Sequence, residues 1–345
     1  MALRIVVIIV LLCTQIYSCV ADNYFEKDTA IFRIDTNYIR TFKTKIGIKP
    51  KLKTGSLSTR YGTRYNYVKT TSYAPLVPNL TLTYRNFDVS FSINAFRTLF
   101  KEYIYAASKL TDFSFNYYRK KVVLEVVLRN NEGFYTRVNA RNYSGILVKS
   151  SYSFRQAELD AGLNFNYVIN AKHFSYKAAF YNSARQLKSC GSLIFTGVLR
   201  RNNQSTISGI IVPKINSTKL QAVEGATNIY SLSLYPRAGY AYTYVHNSFY
   251  ISGGAFSEVW KPTQLWTYYN ATTNTNTQEQ RRYWYLKNSI QVQSGFNWPK
   301  WYVGLSYNTE VAKSSWHNVP IRKASYNFAI MGGYRIIYYY NPNKK

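Results

Sequence analysis

The chain has 345 residues, with 44 Lys and Arg against 15 Asp and Glu. A net charge of +29 asks for an anionic neighbour. Nucleic acid is excluded, because there is no helix–turn–helix, zinc-finger or RNP-like motif and a leader takes the chain out of the cytoplasm. The 35 Tyr and 19 Phe exceed what a water-soluble core uses. Membrane interfaces use them well, with the ring in lipid and the hydroxyl among headgroups.

Residues 1–21 read as a signal peptide, with Arg4 as the positive n-region and residues 5–13 as the apolar run. Cleavage is expected after Ala21, with Cys19 and Ala21 in the −3 and −1 places. A lipoprotein cut before Cys19 is the alternative, and bulky Tyr17 fits it poorly. The run falls short of the ~20 apolar residues that a spanning helix needs. Cys13 and Cys19 belong to the leader, so the first cut leaves Cys190 alone. That excludes a disulfide framework or a cysteine metal cluster. Residues 22–42 are polar and mixed, a short periplasmic lead-in.

From residue 78 onward, period-two alternation dominates. Leu80, Leu82 and Tyr84 face one way and Thr81, Thr83 and Arg85 the other. Phe87, Val89, Phe91 and Ile93 alternate with Asp88, Ser90, Ser92 and Asn94. The expectation is an all-β fold: a closed antiparallel transmembrane β-barrel, an up-and-down meander over residues 43–338, followed by a basic tail at 339–345. Strands are expected near 58–68, 79–85, 87–96, 111–118, 121–129, 154–169 and 173–181. Others follow near 189–200, 228–244, 249–259, 283–297, 301–311 and 325–338, with 43–50 ambiguous. Long links are expected at 97–110, 130–153, 201–227 and 260–282.

Short turns belong on the periplasmic side and long loops outside. The turns near Asn86, Arg119-Lys120 and 170–172 agree in phase, and so do those at 245–248 and 298–300. The two groups conflict unless the strand count changes between 182 and 228. A strand at 207–212 makes fourteen; one irregular crossing over 173–200 makes twelve.

One stretch is distinctive. Phe174, Ser175, Tyr176, Lys177, Ala178, Ala179 and Phe180 lead through Ser183 to Arg185-Gln186 and then Ser189, Gly191 and Ser192. It resembles the Phe-Ser-Tyr-Arg-Ala-Ala-Phe…Gln…Lys-Ser-Ala-Gly-Ser stretch of the Bacteroidetes "domain of unknown function 4421" family. Cys190 stands in place of the usual Ala, and Ala184 in place of an acidic residue. Residues 113–118, 122–135, 163–170 and 239–245 also resemble that family's strands. The resemblance implies an outer-membrane-type barrel and brings no activity with it.

Catalytic chemistry is not apparent. His173 and His246 fall at expected turns and His317 in a loop, without metal-ligand spacing or a hydrolase or nucleotide motif. The expectation is no enzyme, no cofactor and no metal. The polar wall carries the candidates instead: Asp88, Glu125 and Asp160 with Arg85, Arg129, Lys177 and Arg335. A cation facing lipid costs about 2–4 kcal/mol at the midplane, so these belong in the lumen. They form either a salt-bridge network or an eyelet for small anions. Expected partners are outer-membrane lipid, lipopolysaccharide and the barrel-assembly machinery, around a monomer whose ligand is unknown. The competing functions are a narrow channel or structural barrel, a barrel enzyme acting on lipid or lipopolysaccharide, and a secreted polysaccharide-binding β-protein.

Overall fold

The computed structural model describes residues 34–42, 44–63, 65–94, 108–141, 147–206, 226–270, 275–316 and 319–337. The leader, His317, the tail at 339–345 and the possible strand at 207–212 lie outside them.

An N-terminal arm carries β1 (Ile39–Thr41). The wall begins with β2 (Thr44–Gly62), β3 (Tyr67–Tyr84), β4 (Phe87–Ile93), β5 (Lys109–Arg119), β6 (Val122–Arg141) and β7 (Leu147–Val168). A short helix, α1 (Tyr176–Tyr181), and β8 (Ala184–Gln186) interrupt it. It resumes with β9 (Cys190–Thr206), β10 (Ala226–His246) and β11 (Phe249–Trp260). The hairpin β12 (Thr263–Asn270) and β13 (Thr275–Arg282) precedes β14 (Tyr285–Asn297), β15 (Trp301–Trp316) and β16 (Val319–Ile337).

All pairings are antiparallel. β16 returns to β2 and β11 joins β10 to β14, so twelve strands close the barrel. The β12–β13 hairpin extends the wall from the first part of β10, through Ile229↔Trp266. Both chain ends of the wall and the links at 85–86, 120–121, 169–189, 247–248 and 298–300 share one end of the barrel, called here the lower end. Arg85, Lys120 and Asn247 take positive φ (51°, 32° and 55°) as the first residues of two-residue turns.

Alternation decides which face each residue takes. Leu80, Leu82, Val89, Phe91 and Ile93 are exposed on the outer face, and Thr81, Thr83, Asp88, Ser90 and Ser92 are buried inside. A transmembrane strand needs about 9–11 residues, yet β6, β7 and β10 have 20, 22 and 21. The wall therefore continues well past the apolar belt.

Several expected elements differ. The segment 58–68 is not one strand: it holds the β2–β3 turn, where Gly62 adopts φ 105°. The link expected at 130–153 contains the ladder of β6 on β7, from Asn130↔Leu159 to Arg141↔Leu147, with a register shift between Glu132 and Phe134. The link expected at 260–282 is the β12–β13 hairpin. The strand expected at 173–181 is the helix α1, which lies inside the barrel rather than in its wall. The count is twelve, not fourteen, because residues 169–189 make no crossing at all.

Candidate functional site: a plugged lumen

Eight strands already leave an interior just filled by side chains, so twelve leave room for more than the wall supplies. Residues 169–189 fold inward and fill the lower half. Ser175 caps α1, its Oγ accepting from Ala178 N at 3.2 Å. Asn182 ends it in the left-handed region at φ 54°. Phe174, Tyr176 and Ala179 pack against Tyr118, Val123, Val168, Ile194, Ala241 and Phe256 of the wall. At Gly254 on β11, a Cβ would meet Phe180 Cζ at 3.0 Å, so this glycine makes room for the plug. The N-terminal arm covers the plug from below, with β1 paired to β8 from Ile39↔Gln186 to Thr41↔Ala184.

Three polar ties hold the plug to the wall. Lys49 Nζ on β2 donates to Asp88 Oδ2 on β4 (2.8 Å), to Tyr181 O (3.0 Å) and to Ser183 Oγ. Ser183 Oγ donates to Asp88 Oδ2 at 2.8 Å, and the Tyr118 hydroxyl does so at 3.1 Å. Glu125 on β6 accepts from the Tyr181 hydroxyl (2.5 Å), the Tyr176 hydroxyl (3.3 Å) and Asn164 Nδ2 (3.1 Å). Burial pushes both α1 phenols well above their usual range, so they stay protonated as donors. Arg335 on β16 donates to Asn182 O (2.6 Å), Asn297 Oδ1 (2.8 Å) and Trp298 O (2.6 Å).

Above the plug lies a cavity of about 160 Å³ with a charged belt and an aromatic side. Arg200 Nε pairs with Asp160 at 2.9 Å, and Lys287 Nζ with Glu258 (2.7 Å) and Glu310 (3.2 Å). Lys323 on β16 pairs with Glu158 on β7. Five wall strands separate β16 from β7 in either direction, so this pair spans the lumen. Tyr235, Trp260 and Tyr285 stack in a row, with centroids 4.5 and 5.0 Å apart. Further up, Tyr61, Ile229, Trp266, Tyr283 and Ile321 line the cavity and belong to an apolar cluster with Val68 and Val138.

Of the expected lumen charges, Asp88 and Glu125 are buried in the plug ties. Arg129 and Asp160 line the cavity, and Arg129 lies 3.9 Å from Asp112, which also pairs with Lys53. Arg335 holds the plug, and Lys177 sits on α1 rather than on a strand. Arg85 is not in the lumen. The β3–β4 turn takes two residues, so Arg85 leaves the strand and is exposed beside the Tyr84 ring. Of the distinctive motif, Phe174, Ser175, Tyr176, Ala178, Ala179, Phe180 and Ser183 build the plug. Gln186 Oε1 accepts from Ser175 N, and Arg185 donates to Asn247 O. Ser189 Oγ accepts from Val245 N, Ser192 Oγ accepts from Asn170 N, and Gly191 pairs with Tyr242 near the start of β9. Cys190 is a half-buried free thiol that accepts from Asn170 Nδ2. His173 stacks edge-on with Tyr38 and faces Asp35, while His246 ends β10 exposed.

Sequence reading missed Lys49, Lys53, Asp112, Glu158, Arg200 and Lys323. The lysine signal was present: Lys49, Lys51 and Lys53 alternate with Ile48, Pro50 and Leu52. Among the described residues no group of His, Cys, Asp and Glu is placed to hold a metal ion.

These features define a closed antiparallel β-barrel with an internal plug. The chain belongs to the family described as domain of unknown function (DUF4421), whose model matches residues 33–336. No curated protein matches it. Among solved structures it is similar to the outer membrane protease OmpT from Escherichia coli, at TM-score 0.42 and 9% identity over 86% of this chain and 98% of that one. It is also similar to the translocator domain of the autotransporter NalP from Neisseria meningitidis (0.41, 10%, over 84% and 88%). The toluene transporter TodX of P. putida is more distant (0.28, 7%, over 86% and 91%).

Proposed function

We propose that this protein is a narrow, gated solute channel of the Gram-negative outer membrane. The carrying observation is that a plug held by polar ties fills the lower lumen, while a polar cavity crossed by the Lys323–Glu158 pair lies above it. A barrel built only for rigidity has no need of an unfilled polar space above its plug; a closed channel does.

Membrane residence is supported by the outer face, where Leu193, Phe195, Ile251, Val303, Leu305, Phe328 and Ile330 are exposed. Exposed Tyr84, Tyr244, Trp301 and Tyr334 next to the lower turns suit a headgroup interface. Outer-membrane lipid, lipopolysaccharide at the upper surface and the assembly machinery are the partners, around a monomer. Catalysis is not part of the proposal.

The test is fractionation with heat-modifiability on a gel, then liposome swelling. Recovery in the outer membrane, a faster unboiled band and solute entry that rises in Asp88→Asn support the reading. Recovery as a detergent-free soluble protein contradicts it, and so does no solute entry from any folded variant.

A further inference from the structure

The cavity above the plug has a chemistry that selects among solutes, and this step rests on the channel reading. Its lining holds four cations, Arg129, Arg200, Lys287 and Lys323, and each faces a carboxylate. Such a belt presents hydrogen-bond donors and acceptors with little net field. A charged solute would have to strip a partner from one of these pairs and leave a buried charge uncompensated. A neutral solute strips nothing.

The rest of the lining is also neutral. Asn131, Asn202, Gln204 and Gln264 offer amides, and Ser231 and Ser233 offer hydroxyls. Gln264 already bridges the aromatic side, accepting from Trp266 Nε1 at 3.0 Å and donating to the Tyr285 hydroxyl at 3.2 Å. The Tyr235–Trp260–Tyr285 row adds an apolar strip. Among the described residues, buried carboxylate oxygens of these pairs lack a hydrogen-bond partner, Asp112 Oδ1 and Glu158 Oε2 among them, and Glu158 itself lines the cavity. Glu158 is 3% exposed and gives Oε1 to Lys323 and to Asn202 Nδ2, whereas its Oε2 is buried with no hydrogen-bond partner. A buried carboxylate oxygen in that state is an acceptor waiting for a donor.

We propose that the cavity binds one neutral, polyhydroxylated solute of monosaccharide size, with Glu158 accepting one of its hydroxyls. Each hydroxyl both donates and accepts, which suits a belt of paired charges and amides. The C–H surface of such a solute suits the aromatic strip. The size follows from the volume: about 160 Å³ is more than tenfold what one water needs, ~10–15 Å³ in the same measure, which is room for one small solute.

The test uses the full chain, folded in nanodiscs and shown heat-modifiable, titrated with glucose, galactose and mannitol and, for comparison, glutamate, lysine and phosphate. Trp260 and Trp266 line the cavity and report by fluorescence. The expected result is saturable quenching by at least one neutral solute, unchanged from low salt to about 0.5 M. Glu158→Gln should weaken it about tenfold, the loss of one charge-assisted hydrogen bond. Trp260→Leu, which leaves the belt intact, should weaken it too and serves if Glu158→Gln does not fold. No saturable response to any of the three neutral solutes, or a salt-sensitive response to charged ones alone, overturns the proposal. Binding without solute passage would end the channel reading and leave the site standing; passage without binding would do the reverse.

Discussion

Lys49 and Asp88 meet at 2.8 Å inside the barrel, with side chains 3% and 1% exposed, and Ser183 of the plug bonds to both. The wall thus presents a preformed ion pair, and the plug docks on it. Removing one member of a buried pair leaves the other uncompensated and costs about 3–5 kcal/mol, whereas replacing both with apolar groups is close to neutral. Lys49→Met should therefore destabilise the barrel strongly, and Lys49→Met with Asp88→Leu much less. Urea unfolding in detergent reads the difference. Equal losses for the single and double variants would contradict the buried-pair account.

Arg335 is the second tie, and its geometry depends on a fork. It donates from Nη2 to Asn182 O and Asn297 Oδ1, and from Nη1 to Trp298 O. A lysine keeps the charge but cannot span these acceptors. Arg335→Lys should leave the barrel assembled and loosen the plug. Hydrogen exchange in Tyr176–Tyr181 should then rise about tenfold or more, at ~1.5–3 kcal/mol for a charge-assisted bond. Unchanged protection there would mean that Arg335 does not restrain the plug.

Val126 and Val127 test the phase of the wall. Val126 lies opposite Phe115 and Leu163 on the outer face, while Val127 follows Glu125 on the inner one. Val126→Arg should cost about 2–4 kcal/mol, because a cation in lipid has no partner. Val127→Arg should cost less, with lumenal carboxylates at hand. Assembly yield of the heat-modifiable form separates them, and equal yields would contradict this orientation.

The lower half of the barrel was legible in the sequence because an apolar outer face over a polar inner one imposes a strict period of two, as in residues 80–84 and 87–93. Higher up both faces carry polar residues and the pattern fades. Asn130, Asn131 and Glu132 read as a loop, yet pairing such as Glu132↔Ala157 carries the strand on. Tyr61 and Tyr67 are both good strand formers, so the turn between them was hidden, with Gly62 its one clear mark. Phe174, Tyr176, Ala178 and Phe180 alternate like a strand, but the Ser175 cap, the Lys177-Ala178-Ala179 run and Asn182 make one helical unit. Choosing between twelve and fourteen strands required seeing that this unit turns inward. Asp88 and Asp160 were found without their cations Lys49 and Arg200, Lys49 standing in a stretch left ambiguous, and Glu158 and Lys323, 165 residues apart, were both missed.

If residues 169–189 close an otherwise passable lumen, single-channel recording will show it. Asn170 lies beside Ser192, its N–H donating to Ser192 Oγ at 2.9 Å, so a short Gly-Ser turn can replace residues 172–189 without disturbing the wall. The account predicts that the full chain stays closed for most of the record, while the variant shows frequent, resolved current steps at the same folded amount. Steady open current from the full chain, or a silent trace from the folded variant, would contradict it.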